Sequence, residues 1–220
     1  MMRLDSIQVG QVRTEGVSHA DDPQQRPWTS AIRKEPVEGQ VWAGREGLSG
    51  DHQYDRQSHG GPERALLMYC AEHYPSWRSE WGRKDVGPGG FGENLTVSGL
   101  SEDTACIGDV FRIGEVRMEV SSPRTPCSTL VRRHGIHDLI RTITHNHRSG
   151  WYLRVLQEGW LEAGMPVHLT DRPYPQWTIR RAANVKRMRA EMPEDARLLA
   201  ACPALQSEWR AVLGTPGARG

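Results

Sequence analysis

Chemistry in this chain is concentrated in Ser121-Ser122-Pro123-Arg124-Thr125-Pro126-Cys127, where a thiol follows two prolines and a guanidinium. Each proline fixes its own φ and biases the residue before it toward extended backbone, so Thr125 and Cys127 are expected on a stiff loop. Such a loop suits a metal ligand or a nucleophile. Arg124 favours the thiolate, the form that attacks electrophiles and binds soft metals. The seven residues leave a second reading open, in which Cys127 is a buried and inert cysteine.

A second candidate is Ser58-His59-Gly60-Gly61-Pro62-Glu63-Arg64. Two glycines and a proline before a helix start leave backbone N–H groups converging at the positive end of the helix dipole, where an anion is favoured. Arg64 and His59 flank it. The competing reading is an ordinary glycine-rich helix start. Glu93 and Asn94 open an apolar strand, where they either meet solvent at an edge or point into a site. His134, His137, His145 and His147 crowd one region, but no pair has a catalytic-zinc spacing with an acidic partner, so solvated or tautomer-satisfied histidines are expected.

The elements that must position these residues are short. Residues 4–9 alternate apolar and polar as a half-buried strand, and Gly10 stops it. Residues 11–31 read as a loop, and 31–41 as two extended pieces hinged at Glu38-Gly39 into a hairpin. Ala65, Leu66, Tyr69, His73 and Trp77 recur at helical spacing. Residues 107–113 and 116–120 form a hairpin closed at Gly114-Glu115, whose second strand delivers the loop with Cys127. Helices are expected over 128–133 and 137–146, then further strands at 151–155 and 165–169. Beyond Pro175 the pattern changes: Thr178 caps a basic helix, Pro193 begins a second and Pro203 precedes a third.

Composition sets the outer bounds. Lys+Arg 28 against Asp+Glu 27 gives no whole-molecule field toward nucleic acid or a membrane. The basic run Arg180, Arg181, Lys186, Arg187 and Arg189 reads as a solvated helix face, so nucleic-acid binding is not expected. Four cysteines with no CxxC pair indicate a reducing compartment, the cytoplasm, and argue against structural zinc. No signal peptide is visible, and the longest apolar run is far short of the ~20 residues that cross a bilayer. Gly 23 and Pro 14 imply many turns, hence short strands and a β-rich body with helices, an α+β class. Eight tryptophans are assigned to core contacts.

Taken together, Leu48-Ser49-Gly50-Asp51, His59-Gly60-Gly61-Pro62-Glu63-Arg64-Ala65, Phe91-Gly92-Glu93-Asn94-Leu95, Ile107-Gly108-Asp109 and Pro123-Arg124-Thr125-Pro126-Cys127 resemble the MOSC family, named for the C-terminal domain of molybdenum cofactor sulfurases. The resemblance is greatest to the stand-alone YiiM-like group with a C-terminal three-helix domain. It implies a β-barrel-like body over residues 1–172, a small helical domain over 173–220, and binding of the molybdenum cofactor (molybdopterin). Carried over by position, Cys127 is the metal thiolate and catalytic residue. Gly60, Gly61, Arg64, Arg124 and Thr125 hold phosphate or pterin, and His59 and Asn94 shape the cavity. After Cys127, where relatives often carry an aromatic residue and a lysine, this chain has Ser128-Thr129.

The resemblance further implies reduction of small N-hydroxylated compounds, such as hydroxylaminopurines. No flavin, haem or iron–sulfur motif is evident, so a separate reductase is the expected electron donor. A homodimer is one assembly open to the chain. Pyridoxal phosphate enters only at family level, through a fused sulfurase domain that these 220 residues leave no room for. The alternative is a non-catalytic carrier that delivers cofactor or sulfur.

Overall fold

Strand β1 (Arg3–Gly10) buries Leu4 and Ile7 completely and ends where the backbone of Ala31 crosses it. A Cβ on Gly10 would lie 2.5 Å from the Ala31 carbonyl oxygen, so the close approach requires glycine. The computed structural model describes residues 1–55 and 60–215. Around β1 runs an eight-stranded sheet, with β4 (Lys34–Pro36) on one side and β8 (Leu95–Ser98) on the other. Beyond β8 come β7 (Leu66–Cys70), β11 (Trp151–Gln157), β10 (Val116–Pro123), β9 (Val110–Ile113) and β13 (His168–Asp171). All neighbours are antiparallel except β7 and β8. A smaller sheet has the order β12 (Gly159–Glu162), β5 (Gln40–Gly44), β6 (Gly47–Leu48).

The large sheet is not a closed barrel, because β4 and β13 are its edges. It curls far enough that Leu4 N donates to Met165 O at 3.0 Å and Val167 N to Met2 O at 3.0 Å. The interior of that curl holds most of the core. A second apolar cluster, centred on Tyr69, Trp77 and Phe91, lies under helices α1 (His73–Trp81), α2 (Ser128–His134) and α3 (Leu139–Asn146). Trp77 and Trp151 are fully buried.

Several elements differ from the sequence reading. Residues 66–70, read at helical spacing, are strand β7: all five are buried between β8 and β11, and a strand covered on both faces is uniformly apolar. The helix begins only at His73. The supposed loop contains a ribbon of β2 (Arg13–Glu15) and β3 (Trp28–Ser30). The two extended pieces within 31–41 are not a hairpin, since β4 pairs with β1 while β5 pairs with β12 and β6. The hairpin of β9 and β10 forms as expected, with Val116 opposite Ile113. In the tail, Thr178 accepts from Arg181 N at 3.2 Å and caps α4 (Ile179–Arg187). Helices α5 (Pro193–Ala200) and α6 (Ser207–Gly214) follow. Their apolar residues, among them Leu199, Leu205 and Trp209, are continuous with the sheet's core cluster. Among the described residues, no helix is long and apolar enough to cross a membrane.

Candidate functional site

Cys127 stands where strand becomes helix. Past the end of β10 the pairing with the β11 side continues for one residue, Arg124 N donating to Gly150 O at 3.0 Å. The chain then turns through Thr125-Pro126, and Cys127 is the extended residue immediately before α2, half-buried. It lines a cavity of about 280 Å³ together with Arg124, Arg64, Asn94, Tyr152, Lys34, Phe91, Thr129 and residues 52–55.

Arg124 is 5 % exposed, and its Nη1 is buried with no hydrogen-bond partner among the described residues. Tyr152 sits on β11 at the position after the buried Trp151, opposite Ser122. Burial pushes the Tyr152 phenol above its ordinary range; Arg124 and Arg64 act against that shift and Cys127 with it. These four groups therefore share one electrostatic neighbourhood. Arg64 ends a short 3-10 helix (Pro62–Arg64) and is itself buried. Gly61, which precedes that helix, has φ +85, and a Cβ there would meet none of the described residues, so backbone conformation is what favours its glycine.

Asn94 forms wall structure. Its Oδ1 accepts from Leu67 N at 3.2 Å, and its Nδ2 donates to Gln8 O at 3.3 Å and Asp51 Oδ2 at 2.8 Å. Asp51 in turn accepts from Gly10 N at 2.7 Å and pairs with the Lys34 ammonium through both oxygens. Burial lowers the Lys34 pKa, and Asp51 opposes that. Glu93, fully buried, accepts from Gly89 N (2.6 Å), Phe91 N (3.0 Å), Thr96 Oγ1 (3.0 Å) and the Tyr74 hydroxyl. It ties down the loop that carries Phe91.

Of the residues singled out from sequence, Cys127, Arg124, Arg64 and Asn94 meet at this cavity. Gly60 and Gly61 are not among its lining residues. Thr125 is exposed, and its Oγ1 accepts from Lys186 Nζ at 3.3 Å, on the side of the helical tail. His59 lies outside the described residues. Lys34 and Tyr152 were not singled out. Tyr152 has a sequence signal, as the polar residue between the buried positions Trp151 and Leu153, but Lys34 has none, since only the pairing of β4 with β1 brings it here. His134 is a half-buried neutral ring, its Nε2 at 2.8 Å from Gly90 O. Among the described residues, no group of three or more His, Cys, Asp or Glu could hold a metal ion. A cysteine sulfur that shares its cavity with two guanidinium groups instead suits a soft metal brought in on an anionic organic ligand.

The chain is similar to known proteins in sequence and in fold. The MOSC domain model matches residues 55–168. The Bacillus subtilis protein YflK is 36% identical over 182 residues, covering 83% of this chain and 82% of YflK. A Gibberella moniliformis protein named Reductase is 37% identical over 182 residues; the match covers 80% of this chain and 31% of that protein. The crystal structure of YiiM from Geobacillus stearothermophilus superposes with a TM-score of 0.80 at 32% identity, covering 97% of this chain and 98% of that one.

Proposed function

This chain belongs to the MOSC family, and from that premise we propose that it is a molybdenum-cofactor-dependent oxidoreductase reducing N-hydroxylated compounds such as hydroxylaminopurines. The observation that carries the proposal is the buried Arg124 Nη1, with no acceptor among the described residues, on a residue that lines the cavity Cys127 also lines. An unsatisfied buried donor costs about 1–3 kcal/mol, which an anionic ligand in the cavity would remove. Cys127 would hold the metal through its sulfur, and Arg124 and Arg64 would hold the phosphate and pterin oxygens. When bound, the cofactor supplies two-electron exchange coupled to removal of an oxygen atom.

The remaining work falls to the chain. The overall change, R–NH–OH plus two electrons and two protons to R–NH2 plus water, breaks one N–O bond and needs an external electron donor, here a separate reductase. Lys34 holds a proton at Nζ in the cavity wall, tethered by Asp51. Ile32, Leu67 and Phe91 give the cavity apolar surface that excludes water. The name of the Gibberella relative agrees with a redox role.

The test is turnover. Purified chain from a molybdenum-replete host, supplied with a reductase and an N-hydroxylated purine, should convert many equivalents per chain, and Cys127→Ser should abolish this. Transfer of one equivalent of cofactor or sulfur without turnover would replace the proposal with a carrier role.

A further inference from the structure

Helix α6 and the residue before it lie outside the residues that the MOSC model matches, yet they grip the guanidinium on which the proposed site depends. Gln206, the residue before α6, is 4 % exposed. With its amide turned oxygen-first, the orientation that satisfies both partners, it accepts from Arg64 Nε at 2.5 Å and Nη2 at 2.9 Å. Its own backbone N donates to Ser121 O at 2.8 Å, which fixes it to β10. Two residues on, the Glu208 carboxylate pairs with Arg64 Nη2. Between them, Ser207 donates from N (3.0 Å) and Oγ (2.5 Å) to Glu63 Oε2, beside Arg64 on the same 3-10 helix.

Gln206 and Glu208 differ in kind. Gln206 is neutral and buried, so it orients the guanidinium without neutralising it. Glu208 is an anion whose side chain is 62% exposed, so it can leave for solvent with little desolvation penalty. A phosphate that binds Arg64 through Nη2 has to compete with that carboxylate.

Resting on the functional reading above, we propose that the start of α6 completes the phosphate-binding part of the site: Gln206 is a positioning residue for Arg64, and Glu208 is a resident carboxylate that the ligand's phosphate displaces. The two residues then act with opposite sign. Gln206→Ala lets the guanidinium turn toward Glu208 and weakens phosphate binding by roughly tenfold, the loss of about one charge-assisted hydrogen bond. Glu208→Gln keeps the side-chain volume, removes the competing charge and tightens binding by roughly threefold.

The experiment titrates inorganic pyrophosphate into the full-length, metal-free chain by calorimetry, for the parent and both variants, with thermal unfolding of each as a fold check. Opposed shifts support the assignment. Absence of pyrophosphate binding by the parent, or shifts of the same sign in both variants, would overturn it. If Gln206→Ala does not fold, the exposed Glu208→Gln decides alone: tighter binding supports the proposal and unchanged or weaker binding refutes it. Molybdenum and pterin content of the parent from a molybdenum-replete host is measured separately. Its absence would count against the functional reading and leave the pyrophosphate result to judge the tail.

Discussion

Acidification should destabilise the folded chain in measurable part through the ring of His134. This residue ends α2, and its ring lies against Trp81 and Phe91 at centroid distances of 5.0 and 5.5 Å. Nε2 bonds Gly90 O at 2.8 Å, while Nδ1 is buried without a partner among the described residues, so a second proton finds no acceptor among them. Burial lowers its pKa from the ordinary 6.5 to about 4; the Gly90 carbonyl resists this, and Arg133, Arg83 and Arg33 add to it. The folded pKa is therefore depressed relative to the unfolded one. Between pH 6.5 and about 4 the unfolded chain carries a proton on this ring that the folded chain does not. Stability from this ring is complete above 6.5 and falls by about 1.4 kcal/mol per pH unit below it, about 3 kcal/mol in all. His134→Gln keeps a donor for Gly90 and cannot titrate. Urea unfolding of both proteins at pH 7.5, 6, 5 and 4 should show the parent's advantage shrinking by about 3 kcal/mol. His147, whose pKa is also lowered by burial, is present in both and cancels. A gap between the two proteins that stays constant with pH would refute the reasoning. Because Phe91 lines the candidate cavity, the same acidification should loosen that wall.

Arg124→Met should lower cofactor retention by at least tenfold while shifting the thermal midpoint by no more than roughly 3 °C, because the guanidinium it removes carries an unsatisfied buried nitrogen. Unchanged retention, read as pterin released on dilution, would remove Arg124 from the ligand's binding set. Lys34→Met leaves Asp51 buried without its countercharge and should cost about 3–5 kcal/mol in urea unfolding, with the double variant Lys34→Met/Asp51→Asn recovering at least half of that. A single variant within about 1 kcal/mol of the parent would show that water reaches this pair.

What the sequence made legible follows from the range of the interactions involved. The hairpin of β9 and β10 and the Thr178 cap are set by neighbours a few residues apart, and both form as read. Strand β7 is hidden in the sequence because Leu66, Tyr69, His73 and Trp77 fall at three- and four-residue intervals, while an interior strand is apolar throughout and shows no alternation. The fates of β4 and β5 depend on partners at the two ends of the body, β1 and β12, which no local pattern announces. The site divides along the same line. Cys127, Arg124 and Arg64 stood out through the proline, glycine and charge chemistry beside them, whereas Lys34 and Tyr152 reach the cavity only through sheet pairing. The contact of Gln206 and Glu208 with Arg64 spans more than a hundred residues and lay beyond any local reading.

The most direct test of the account is the molybdenum content per chain, with pterin measured alongside, of the parent and Cys127→Ser purified from the same molybdenum-replete host. The account predicts close to one molybdenum and one pterin per parent chain, and loss of most of the metal when the sulfur is replaced by oxygen. Equal molybdenum in the two proteins, or none in the parent, would contradict it.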